Sequence, residues 1–235
     1  MKTNFTIKKI KANIYLIKET YYKYATNNYL ILGKDFNLLI DSGIGLKNIK
    51  HFIVSLGIKN IKVVLTHAHF DHFGGLQYFK PKDFIITEQV LQNIKFPHLW
   101  GLEYLDYNDI DAKIAAKEKT NKMLSNIRKK NFNQVTIVKS KIDLGDQVLN
   151  IIKTPGHTDD SVSFYSSEQK ALFTGDTLFS GEPDYNLPNF NIKNWLYSLN
   201  HLKQLNFDLI LPGHNQILNK KNAKQQIDAW LKILK

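Results

Sequence analysis

The run IKVVLTHAHFDHFGG, residues 61–75, constrains this chain more than any other stretch. Its first six residues read as a buried strand by their apolar run. The next six hold His67, His69, Asp71 and His72. Residues two apart in an extended segment point the same way, so His67 and His69 can share one ion. The chain then turns through Phe70–Gly75, and the adjacent Asp71 and His72 diverge from the first pair toward a second ion. Two imidazoles at one metal and an Asp–His pair at the next is a dinuclear arrangement. Accidental clustering is a poor account of four ligands in six residues.

A dinuclear site needs further ligands, and three other strand ends offer them. VLNIIKTPGH ends in His157, KALFTGD in Asp176 and FDLILPGH in His214. In each, an apolar strand runs into a glycine and the candidate ligand follows it. Glycine there permits a tight turn or a close backbone approach. Any one of these alone is more commonly a structural turn. All three, together with residues 67–72, are what a site at one rim of a layered sheet protein requires.

The order of elements agrees. Short β-branched or aromatic runs separated by polar breaks fill the first forty residues: FTIKKI, NIYLIK, NNYLILG and FNLLIDSG. Residues 47–56 have helical apolar spacing, 61–66 and 83–87 read as strands, and EQVLQNI as a short helix. Residues 95–131 differ, beginning aromatic (FPHLWGLEYLDY) and continuing charged and helical. Strands return with QVTIVK, QVLNIIKT, SVSFYSS and KALFTGD, followed by a helix over 191–206, the strand FDLILPG and a last helix from 222. There is no internal repeat and no Gly-, Pro- or Ser-rich linker, so one domain over 1–235 is the simplest organisation. Strand-rich, helical and again strand-rich segments suit two packed sheets with helices outside.

Composition bounds the function. With no cysteine, disulfides and thiolate ligands are excluded. No run of 18 apolar residues exists, so no membrane span is expected. The N-terminus interleaves lysine with apolar residues and lacks the apolar core of a signal peptide, which makes a cytoplasmic location the expectation. The net charge of +11 raises the question of nucleic acid. Of 32 basic residues, however, only Arg128 is arginine, the usual residue for bidentate phosphate and base contacts. Lys, Asn (23 residues) and Ile enriched together look like a compositional bias rather than a binding surface, so nucleic acid is disfavoured as a partner. His51, His98 and His201 lack partner ligands nearby in sequence and read as ordinary surface or structural residues.

The motifs LIDSG, THAHFDH, TPGHT, FTGDTLF and LPGH, in that order over residues 38–214, resemble those of the metallo-β-lactamase superfamily of metal-dependent hydrolases. The resemblance implies an α+β fold, a four-layer αββα sandwich with the metals at one edge, here carrying a helical insertion at about 95–131. It implies that His67, His69 and His157 hold a first metal, that Asp71, His72 and His214 hold a second, and that Asp176 bridges both. Asp71 and Asp176, the two carboxylates of the set, are then also the candidate catalytic residues. Asp41 would orient the loop of the first cluster, although from the residues alone Asp-Ser-Gly after a strand is a simple turn.

Five imidazoles and two carboxylates without sulfur suit two divalent ions, Zn²⁺ first, without excluding Fe²⁺, Mn²⁺ or Co²⁺. Such a pair would carry a hydroxide able to attack a carbonyl or phosphorus, so no Ser or Cys nucleophile is needed. The reaction expected is hydrolysis of a small ester, thioester or lactone. A phosphodiesterase or nuclease, or β-lactam hydrolysis, is the alternative. The β-lactamase members most similar to this chain use a cysteine in the second site, which is absent. Only 21 residues follow His214, too few for the glutathione-binding extension of the glyoxalase II branch. The run from Leu178 to Leu202, LFSGEPDYNLPNFNIKNWLYSLNHL, resembles acyl-thioesterase-like members and offers Tyr185 as a candidate substrate contact. The aromatic segment of the insertion offers Trp100, as part of an apolar lid or as core packing. The expected partner is a small-molecule substrate, and oligomeric state is not legible.

Overall fold

The computed structural model describes residues 4–21, 24–95, 110–183, 185, 187 and 189–233. The chain forms two compact units, Met1–Val138 and Lys139–Lys235.

The first unit is built on a five-stranded sheet in sequential order. β1 (Asn4–Lys9), β2 (Ile14–Tyr21), β3 (Tyr24–Ile31) and β4 (Asn37–Ile40) run as an antiparallel meander. β5 (Ile61–Val64) joins β4 in parallel, and parallel neighbours need a crossover, which α1 (Ile49–Ser55) supplies. The helix starts where Asn48 Oδ1 accepts the His51 N–H at 2.9 Å, and it buries Ile49 and Ile53, one turn apart. The strand expected over 83–87 contracts to β6 (Ile85–Ile86), because Pro81–Asp83 takes a 3-10 turn with proline at its start. β6 pairs in parallel with β7 (Thr136–Ile137).

Side chains from β2, β3, β4 and β5, among them Ile17, Leu30, Leu39 and Val63, share one apolar core with Phe73, Phe84 and Ile94. α3 (Glu88–Lys95) adds Val90, Leu91 and Ile94 to it, and α4 (Ile110–Arg128) adds Met123, Leu124 and Ile127 at helical spacing. α4 is the charged half of the expected insertion. The aromatic half, with His98 and Trp100, lies outside the described residues.

The second unit is a six-stranded sheet built from β8 (Lys141–Asp143), β9 (Val148–Lys153), β10 (Val162–Ser166), β11 (Ala171–Gly175), β12 (Leu209–Pro212) and β13 (Leu218–Asn219). Across the sheet these lie in the order β13-β12-β11-β10-β9-β8. β11 and β12 are parallel, joined through α5 (Ile192–Lys203), whose cap is Asn191 accepting the Asn194 N–H at 3.0 Å. α5 and α6 (Lys220–Ile233) bury Trp195, Leu199, Leu202, Ala223, Ile227 and Trp230 against Leu172 and Ile210 of the sheet. No helix among the described residues is long and apolar enough to cross a membrane.

Candidate metal centre

In the first unit the ligand candidates follow β5 directly. The chain bends at Thr66 and His67 and then curls into α2, the single turn Phe70–Phe73 with His69 at its N-cap. That curl changes the side-chain period from two to 3.6, so His72 comes back toward the first pair rather than diverging from it. The His67 ring lies 4.6 Å from that of His69 and 4.1 Å from that of His72, centre to centre. Asp71 Oδ2 is 3.5 Å from His72 Nε2.

Asp41 organises this half. It sits just past β4 with φ +59°, a left-handed conformation that aspartate tolerates better than most residues. Its N–H bonds Val64 O at 2.9 Å, which ties β4 to β5. Its carboxylate accepts the Thr66 N–H at 2.8 Å and the Thr66 hydroxyl at 2.9 Å, and lies 2.8 Å from His72 Nδ1. Because the Thr66 proton points to Asp41, its oxygen is left to accept from His67 Nδ1 at 3.0 Å. Both imidazoles are thereby set in the tautomer with a bare Nε2, which is how a carboxylate prepares histidine for a metal. Ser42 adds two bonds to the His72 carbonyl, from N at 2.7 Å and Oγ at 3.0 Å.

Beneath this loop lies a group that the motifs do not include. Glu19 of β2 is fully buried, and its Oε2 accepts the Ile44 N–H at 2.8 Å, with the Gly45 and Lys47 N–H groups also directed to it. Burial, the largest influence, outweighs these bonds and pushes its carboxyl up to about 8. A signal for it exists in the sequence. Glu19 shares strand parity with Ile17 and Tyr21, the buried face of β2, so it cannot point to solvent with Lys18 and Thr20. Tyr24, at the start of β3, is a second unanticipated neighbour, its hydroxyl 2.6 Å from Asp71 Oδ2.

The second unit supplies the other three candidates from the ends of β9, β11 and β12. Gly156 precedes His157 with φ +142°, and a Cβ there would lie 2.3 Å from Trp195 Cα, so the glycine lets α5 approach the loop directly. The Asn191 N–H donates to Gly156 O at 2.7 Å and Ser198 Oγ to Pro155 O at 2.7 Å. Trp195 Nε1 donates to Thr177 O at 2.8 Å, so the same helix also holds the loop after Asp176. The Gly213 N–H donates to Gly175 O at 2.8 Å, which aligns the β12 end with the β11 end. Asp176 Oδ2 comes to 3.5 Å from His157 Nε2 and 3.3 Å from His214 Nε2.

These separations test whether the residues suit a metal. Two ligands at about 2.0–2.2 Å from a tetrahedral ion stand roughly 3.3–3.5 Å apart. The His72–Asp71, His157–Asp176 and His214–Asp176 pairs, at 3.3–3.5 Å, all meet that spacing. Nitrogen and oxygen donors without sulfur suit a borderline or hard divalent ion. Elsewhere, Tyr185 is exposed, with its ring edge-on to Phe190 at 5.6 Å. His51 and His201 lie exposed on α1 and α5.

Residues 21–214 match the metallo-β-lactamase superfamily model. The chain is 27% identical over 232 residues to a chicken (Gallus gallus) protein named acyl-coenzyme A thioesterase MBLAC2, covering 89% of this chain and 80% of that one. It is 30% identical over 215 residues to the probable metallo-hydrolase MJ0888 of Methanocaldococcus jannaschii, covering 86% and 93%. A solved metallo-β-lactamase from Pontibacter korlensis superposes with a TM-score of 0.70 at 19% identity, covering 98% and 99%, so the fold is shared. The chain belongs to the metallo-β-lactamase superfamily and is a metal-dependent hydrolase of it.

Proposed function

We propose that the chain hydrolyses a small acyl thioester, within a wider capacity for esters and lactones, using two divalent ions, Zn²⁺ first among them. In this reading His67, His69 and His157 hold one ion, Asp71, His72 and His214 hold the other, and Asp176 serves both. The observation that carries it is Asp176 Oδ2, flanked by two imidazole nitrogens at ligand–ligand distance, 3.5 Å from His157 and 3.3 Å from His214. One carboxylate set between imidazoles assigned to different ions is the arrangement a bridge needs. The thioester is favoured by the relatives named acyl-coenzyme A thioesterase in chicken and human.

When bound, such ions supply a hydroxide nucleophile near neutral pH and Lewis acidity toward a carbonyl oxygen. The chain's own residues do the rest. Asp41 and Thr66 engage the Nδ1 atoms of His72 and His67, which leaves each Nε2 lone pair for an ion. Asp71 and Asp176 contribute two negative charges, fewer than two divalent ions bring, and the surplus positive charge favours a developing oxyanion. Trp195 fixes the loops of His157 and Asp176 from one helix, which keeps two ligands of different strands in register.

The test is a substrate panel on zinc-loaded protein with acyl-CoA thioesters, a lactone, a β-lactam and a phosphodiester side by side. Thioester turnover should exceed the others by at least tenfold in kcat/KM. Faster phosphodiester or β-lactam cleavage would overturn the proposal.

A further inference from the structure

We infer that Tyr24 is a positioning residue for the second metal site, acting through Asp71. The inference rests on the dinuclear reading above and adds a residue that the ligand motifs do not contain.

Tyr24 opens β3, and α2, which carries Asp71, packs against that strand. The Tyr24 hydroxyl is 2.6 Å from Asp71 Oδ2. An ionised carboxylate only accepts, so the phenol donates, and the separation is that of a charge-assisted O–H···O⁻ bond. The same Oδ2 faces His72 Nε2 at 3.5 Å, the spacing of two ligands on one ion. A carboxylate oxygen has two in-plane lone-pair directions. With one directed to the phenol, the other is left for the ion beside His72.

Asp71 is held by Tyr24 from outside the loop that carries it. Its backbone lies in a helix of one turn, Phe70–Phe73, too short to hold a side chain by its own regularity. His72, its neighbour, is held from behind by Asp41 at 2.8 Å. Tyr24 gives Asp71 the corresponding support, so each ligand of this Asp–His pair has its own outer hydrogen-bond partner. Removing partners of this kind typically costs 10–100-fold in metal affinity.

The experiment is a stepwise zinc titration in competition with a chromophoric chelator, on wild type, Tyr24→Phe and Tyr78→Phe. Tyr78 also spends its hydroxyl inside the first unit, on Gly45 O at 2.9 Å, and so controls for losing a phenol bond in general. Tyr24→Phe should weaken the second dissociation constant about tenfold, leave the first within twofold, and alter the absorption bands of the cobalt-substituted second site. Tyr78→Phe should change neither constant. In an Asp71→Asn background, Tyr24→Phe should have no further effect, and this comparison reads the coupling even where Tyr24→Phe lowers stability. A second constant within twofold of wild type in Tyr24→Phe, or an equal loss in the Asp71→Asn background, overturns the inference alone. A wild type that saturates at one ion overturns the dinuclear reading and this inference with it.

Discussion

Asp41 Oδ2 lies 2.8 Å from His72 Nδ1, and the same carboxylate receives the hydroxyl of Thr66, whose oxygen in turn takes His67 Nδ1. One buried charge therefore sets two imidazoles. Asp41→Asn keeps the shape and the tolerance for positive φ, but it replaces one acceptor oxygen by a donor. Metal affinity should fall about 10–100-fold with the fold retained, as read by chelator competition alongside circular dichroism. Unchanged affinity would mean that the pair is structural only.

Glu19 gives a pH dependence with a definite sign. Its carboxyl is pushed from 4.5 up to about 8, chiefly by burial. The folded protein thus keeps a proton that the unfolded chain releases above pH 4.5. This contribution to stability is complete below that pH, falls as pH rises toward 8, and is flat beyond. The swing is on the order of a few kcal/mol. Glu19→Gln cannot titrate and still offers an oxygen to the Ile44 N–H. Urea unfolding of metal-free protein at pH 6 and pH 9 should show wild type losing more stability than the variant. Equal losses would show that Glu19 titrates no differently when folded.

What could be read from the sequence divides along one physical line. His67, His69, Asp71 and His72 announce themselves because four candidate ligands sit on one short segment. His157, Asp176 and His214 do so because each follows a strand and a glycine. Asp41 is legible only through the family motif LIDSG, and its bond to Thr66, 25 residues on, needs β4 and β5 to be neighbours and leaves no local mark. Tyr24 and Asp71 are 47 residues apart and meet only once α2 lies on β3. Elements with strong periodicity, such as α5 and α6, emerge close to their expected bounds. The strand expected in QVTIVK shortens to the two residues of β7, and the two-residue β13 depends on a neighbour and has no period to show.

Gly156 and Gly57 both have positive φ, +142° and +84°, yet they should respond differently to alanine. A Cβ at 156 meets the Trp195 backbone at 2.3 Å, whereas one at 57 meets nothing within 4 Å. Gly57→Ala carries conformational strain only, about 1–2 kcal/mol. Gly156→Ala must also push α5 off the His157 loop, so its cost should exceed that of Gly57→Ala by about 2 kcal/mol or more. Denaturant unfolding of the two variants decides it. Equal costs would show that the α5 contact yields easily.

Asp176 and Asp71 should differ in how many ions they control. Asp176 Oδ2 stands 3.5 Å from His157 and 3.3 Å from His214, and Asp71 Oδ2 stands 3.5 Å from His72. If Asp176 serves both ions, Asp176→Ala removes a ligand from each, and it also leaves two divalent charges with one fewer carboxylate between them. Both dissociation constants should then weaken by tenfold or more, and turnover should disappear. Asp71→Ala should weaken the second constant and leave the first within a few-fold. Elemental analysis after gel filtration, with stepwise zinc titration, separates the cases: wild type should retain two ions, Asp71→Ala about one, and Asp176→Ala fewer than one. Equal retention in the two variants would remove Asp176 from the bridging role and place it on a single ion.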